Sequence, residues 1–157
     1  LVKNWAWGKR DNQDIYYDIE SRRNSITYRG NMIRLIDQLI IENDYVKAEE
    51  ILDLAMAKMP LEDFGFYTLL EPFINSYYKI EKNEKARDIF EQVAKKYKEN
   101  LEYYSSISNT NKNKYAEEIY TDIERYRSLV DVLISYEEGE YLENKMKEFN
   151  NYLDLFL

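Results

Sequence analysis

The sequence predicts an all-α chain of about six helices arranged in three antiparallel pairs. Three observations predict it. Only four Gly and two Pro punctuate 157 residues. Apolar residues recur at spacings of three and four almost throughout. The period-two alternation of strands is missing. A chain of this length can bury a core of its own. The expected organisation is an irregular extension over residues 1–17 and one helical-repeat domain over 18–157, with pairs at about 18–59, 66–105 and 115–157.

The extension contains "NWAWGKRDNQD", with Trp5, Trp7, Gly8 and a polar run. The two tryptophans either fold back on the domain or lie near a membrane interface. A first helix is expected over 18–42, with Ile26, Ile33, Ile36 and Ile40 on one side. Gly30 in its interior weakens it by roughly 1 kcal/mol relative to Ala. A second helix is expected over 45–59. "PLEDFG" then reads as a loop, because Pro60 stops a helix and Gly65 relieves a turn. The third helix is expected over 66–80. The fourth, over 83–105, carries Ala86, Phe90, Val93, Tyr97, Leu101 and Tyr104 in a helical stripe. "NTNKNK" reads as a polar linker. A fifth helix is expected over 115–137, with Ile119, Ile123, Tyr126, Leu129 or Val130, and Leu133 in register. After Gly139 a sixth shows Leu142, Met146, Phe149, Leu153 and Phe156 at heptad spacing.

Composition narrows the function classes. Lys plus Arg is 22 against 30 Asp plus Glu, a formal net charge of -8. Such a chain repels phosphate backbones, and its arginines do not cluster, so nucleic acid is not an expected partner. Cys and His are absent, which removes disulfides, thiolate nucleophiles, the usual zinc sites and imidazole acid/base chemistry. Glu117-Glu118 and Glu137-Glu138 are adjacent pairs whose side chains diverge on a helix, so they read as solvated acidic faces. The reading is therefore of no enzyme, no catalytic residue, no metal and no cofactor. No window is long and apolar enough to span a bilayer; "MIRLIDQLII" comes nearest and is broken by Arg34, Asp37 and Gln38. The chain opens at Leu1 without Met, which is read as a domain excised from a longer protein. Of its 16 Tyr, Tyr77, Tyr97 and Tyr126 are expected in the core.

An internal repeat is legible. Aligning "NDYVKAEEIL" with "EKNEKARDIF" places Ala48 on Ala86 and Leu52 on Phe90; Leu35 then falls on Phe73, Leu39 on Tyr77 and Ala55 on Val93. The series Met32, Leu35, Leu39, Ala48, Leu52, Ala55 and Pro60 resembles the tetratricopeptide repeat, in which small residues let paired helices approach. The copies lie 38 residues apart, against about 34 in that family. Ile36 and Ile74 stand where the family has a small residue, Lys98 where it has Pro, and Asn144 where the third pair should have Ala. That pair reads as divergent or capping.

A longer resemblance covers most of the chain. "NWAWG", "MPLEDFGFYTLLEPFINSYYKI" and "DIERYRSLVDVL" resemble the soluble C-terminal region of a bacterial polytopic membrane family with a domain of unknown function. The N-terminal part of those proteins is similar to protein O-mannosyltransferases of the glycosyltransferase-C type. The resemblance implies a non-enzymatic protein-interaction or scaffolding module, tethered to a membrane part through its N-terminus and facing the external, periplasmic side. It equally admits an accessory domain that positions a glycan or peptide acceptor for a membrane-embedded transferase.

In tetratricopeptide arrays the first helix of each pair lines a concave face. That mapping implies Ile33, Asp37 and Ile40, with Thr68, Glu71, Asn75 and Tyr78, as residues binding a protein or peptide partner. Ile33, Ile40 and Tyr78 would serve as apolar anchors. Asp37, Glu71 and Asn75 would set an acidic-to-neutral polarity suited to a basic or neutral segment. The Lys and Asn clamp by which some members hold a terminal carboxylate is not present at these places. The chain's own N-terminal extension or third helix pair could fill the same face, and the sixth helix could mediate self-association.

Overall fold

A computed structural model describes residues 16–156. Among them are eight α-helices, one short 3-10 turn and no strand: α1 Ile19–Ile41, α2 Tyr45–Lys58, α3 Leu61–Phe64, the 3-10 turn Tyr67–Leu69, α4 Glu71–Lys79, α5 Asn83–Ser106, α6 Asn109–Lys114, α7 Ala116–Tyr136 and α8 Glu140–Leu153. The all-helical class is as expected. Trp5 and Trp7 lie outside the described residues. Two compact units divide between Ala86 and Arg87, and each is taken by itself.

In the first unit α1 starts where Asp18 accepts the Ser21 amide at 2.7 Å, satisfying one orphan donor of the first turn. It ends in a left-handed Asn43, φ 58°. There the amides of Asn43 and Asp44 return to the carbonyls of Ile40 and Leu39, the two bonds of a Schellman stop. The stop that closes α4 has the same form: Glu81, φ 61°, and Lys82 donate to Tyr78 and Tyr77. Asn43 and Glu81 are separated by the same 38 residues as Ala48 and Ala86. The spacing read in the sequence thus recurs in the backbone.

The core of this unit joins Met32 and Ile36 from α1 to Ala48, Leu52 and Ala55 from α2 and to Phe73, Ile74 and Tyr77 from α4, all essentially without exposure. Small Ala48 and Ala55 permit the close approach of α1 and α2. The buried stripe of α1 is Ser25, Arg29, Met32 and Ile36. Ile26, expected in it, is 40% exposed, because the buried row runs through residues 25 and 29, four apart, and Ile26 lies one position off it.

Arg29 is 1% exposed. Its Nη2 donates to the Met59 carbonyl at 2.7 Å, and its Nη1 donates to the Gly65 carbonyl at 2.7 Å and, more weakly, to Phe66 at 3.4 Å. Met59 caps the C-terminal end of α2 and Gly65 that of α3. The "PLEDFG" segment is thus not a plain loop. It holds a single helical turn ended by Gly65 at φ 67° and stitched to α1. The expected helix over 66–80 is shorter for a related reason. A helix running through Pro72 would lose the amide bond to residue 68 and clash with that carbonyl. The helix instead opens at Glu71 with Pro72 in its first turn, where no donor is required.

In the second unit α5, α7 and α8 share an aromatic centre. The Tyr97 and Tyr126 rings stack at 5.9 Å, and Phe149 meets Tyr126 edge-on at 5.2 Å. Side chains of α5 and α8 pair at a constant separation of 50 residues: Lys98 with Glu148 at 2.8 Å, Tyr141 with Glu91 at 3.1 Å and Tyr152 with Glu102 at 2.5 Å. A constant offset along two helices of equal rise means that they run parallel, in register. Glu137, read as part of a solvated face, is 5% exposed and takes the Arg87 guanidinium in a two-pronged bond at 2.7 and 2.5 Å. "NTNKNK", expected as a linker, forms α6.

Two outcomes test these contacts. Arg29→Met leaves two carbonyls without donors and is expected to cost about 2–4 kcal/mol in urea unfolding. Arg29→Lys, which cannot span both carbonyls, is expected to fall between that variant and the parent. An unchanged urea midpoint for Arg29→Met would remove the guanidinium from any bracing role. Glu81→Gly relieves a left-handed non-glycine residue and is expected to add about 1 kcal/mol. Glu81→Ala, which keeps the Cβ, should add nothing.

Candidate functional site

Two of the seven concave-face residues come together. Ile33 on α1 and Thr68 in the 3-10 turn line one open groove of about 460 Å³. Its apolar surface comes from Ile26 and Ile33 on one side and Leu69 and Phe73 on the other. Asp37, Ile40, Glu71, Asn75 and Tyr78 do not line it. Tyr78 is only 3% exposed, so in this unit it packs and offers no open anchor. Asp37 is exposed, and Glu71 and Asn75 are half-buried.

The local sequence explains the groove. Pro72 delays α4, so the 3-10 turn presents Thr68 and Leu69 towards α1 where a longer helix would have continued. Gly30 sits opposite in α1 with no side chain. Among the described residues a Cβ built there meets no atom within 4 Å, and Gly30 is part of the groove lining.

The charge of this groove is set by residues outside the expected face. Asp37 and Glu71 do not set it; the charged side chains of the lining are Arg29 and Arg34. Arg29 lies beneath, its Nη donors spent on backbone carbonyls and its Nε without a partner among the described residues. Burial pulls its pKa down to about 10, so it remains cationic at neutral pH. Arg34 is exposed at the rim. Sequence reasoning missed Arg29, Gly30 and Arg34. The signal was available in Arg29, which stands three residues before Met32 on the buried stripe, and in a glycine placed inside an otherwise strong helix.

Other polar clusters are occupied with holding helices. Tyr77 donates to Asp53 at 2.8 Å, and Lys85 bridges Glu49 and Asp53, both at 2.8 Å. Desolvation and the neighbouring Asp53 push the Tyr77 hydroxyl far above the usual phenol range, so it stays a neutral donor. In the second unit Lys145 joins Glu91 at 2.6 Å and Glu148 at 3.4 Å. Among the described residues no group of carboxylates is gathered as a metal site would need, and no helix is long and apolar enough to cross a membrane. A second recess, about 660 Å³, lies among α6, α7 and the residues after α8; Asn109, Asn113 and Tyr120 line it, and the Lys112 ammonium stands 6.0 Å from the Phe156 ring centre.

Gly30→Ala places a methyl group in open space on a helical backbone. It is expected to raise stability by about 1 kcal/mol, read as an increase in the urea midpoint; a decrease would mean that the position is packed. No protein-family model, no curated protein and no solved structure significantly matches this chain.

Proposed function

We propose that the chain is a non-enzymatic interaction module that seats a segment of another protein between α1 and the 3-10 turn that precedes α4. The observation that carries this reading is the groove itself, a recess of about 460 Å³, within the range that buries a compact ligand or several side chains. Its floor is apolar, its polar groups are few, and Ile33 and Thr68 are positions that a tetratricopeptide-like concave face would use. Tetratricopeptide-like packing is further supported by the matching turns at Asn43 and Glu81 and by the buried equivalents Ala48 and Ala86, Leu52 and Phe90. The ionisable groups of the helix faces pair with one another, an arrangement that serves stability.

The resemblance supplies the setting. The module is carried by a larger membrane protein resembling a glycosyltransferase of the C type, tethered through the N-terminal side and facing the exterior. Its service there is to hold a partner protein close to the membrane part.

A photo-cross-linking residue at Thr68, introduced into the protein in its source cells, tests this. A discrete adduct with a second protein is expected in the membrane fraction, absent when the same group is placed at exposed Lys114. Loss of the adduct in a Gly30→Leu background ties it to the groove. Equal labelling from both positions, or none from Thr68, would overturn the reading.

A further inference from the structure

The groove also carries information about the chemistry of its occupant, an inference that rests on its binding a protein segment. Three of its features bear on what it can hold. The first is Gly30. Glycine in a helix interior costs about 1 kcal/mol relative to alanine, yet among the described residues no atom would meet a Cβ at this place. The backbone there is ordinary helix, so conformation does not require glycine either. What glycine does provide is an unobstructed approach to the main chain of α1 from the groove side.

The second feature is Arg34. Several cations of the described residues are engaged: Arg23 with Glu20, Arg87 with Glu137, Lys98 with Glu148 and Lys145 with Glu91. Arg34 is exposed on the groove wall and makes no ion pair among the described residues. The third is Arg29 beneath it, cationic, buried, and stabilised by backbone carbonyls in place of a carboxylate, so that its charge is not cancelled. Among the described residues no Asp or Glu lines the groove, although the whole chain has a net charge of -8. A local positive potential on an acidic protein selects for negative charge, and low-dielectric walls strengthen it.

We propose that the groove takes a protein segment in which an Asp or Glu side chain is flanked by apolar residues. Its main chain crosses α1 over Gly30. Its carboxylate meets the guanidinium fork of Arg34, a planar match for two parallel hydrogen bonds. The flanking apolar residues rest on Ile26, Ile33 and Leu69. Arg29 adds attraction through the floor without touching the ligand.

The test is selection of a random displayed peptide library on the whole chain, with Arg34→Glu and Gly30→Leu as counter-targets whose helicity is first matched to the parent. Enriched peptides are expected to carry Asp or Glu beside apolar residues. They should bind Arg34→Glu about tenfold or more weakly, lose affinity with added salt, and fail on Gly30→Leu, whose side chain fills the recess. Replacement of the peptide's Asp or Glu by its amide should reproduce the Arg34→Glu loss on the parent. Enriched peptides that are neutral or basic, yet still blocked by Gly30→Leu, would overturn the acidic partner and leave the groove as a binding site. Binders indifferent to Gly30→Leu, or no enrichment at all, would overturn both.

Discussion

A buried guanidinium sets the geometry of the first unit. Arg29 meets the carbonyl ends of α2 and α3 at 2.7 Å each, where helix dipoles leave partial negative charge and unsatisfied acceptors. An arginine buried without a carboxylate is costly, and the carbonyls offset that cost because they too would be costly if left bare. The consequence runs forward along the chain. With Gly65 and Phe66 held to α1, Phe66 adopts a left-handed conformation, φ 51°, the 3-10 turn follows, and α4 opens only at Glu71. Those residues form the wall that faces α1. The interaction that shapes the wall is also the source of positive charge beneath the groove.

The second unit is held by a different device. Individually, the half-exposed pairs between α5 and α8 contribute modestly. Together they specify one register, since a shift of either helix would break all of them at once. Glu137 differs from the others because its side chain is 4% exposed; removing Arg87 would strand a buried charge. Gly139, φ 72°, supplies the left-handed turn by which α8 reverses direction after α7. Beneath the polar pairs, Tyr97, Tyr126 and Phe149 fill the space among three helices, in the stacked and edge-on geometries that aromatic quadrupoles favour.

Stability and recognition pull in opposite directions at α1. Both ends of it are well made, with a capped start and a Schellman stop. Gly30, in its interior, is the exception. Local preference gives way at one point on the face that lines the groove, the kind of local inconsistency that marks a surface used for something other than folding.

The sequence alone determined the helical class, the bounds of α1, α2, α5, α7 and α8 to within a few residues, and a 38-residue spacing that also separates the turns at Asn43 and Glu81. These features depend on periodicity, caps and punctuation, which are local. It also singled out Ile33 and Thr68, which line one groove. It did not reveal α6, because Asn and Thr are poor helix formers and the six residues have no apolar stripe; packing against α7 supplies what propensity lacks. It placed Ile26 on the buried side and did not single out Arg29, because a charged residue reads as solvent-facing until the carbonyls that receive it are known. Those carbonyls lie 30 and 36 residues away. The sign of charge in the groove, the floor at Gly30 and the loss of Tyr78 as an anchor were decided by tertiary structure, because each depends on which distant backbone a side chain meets.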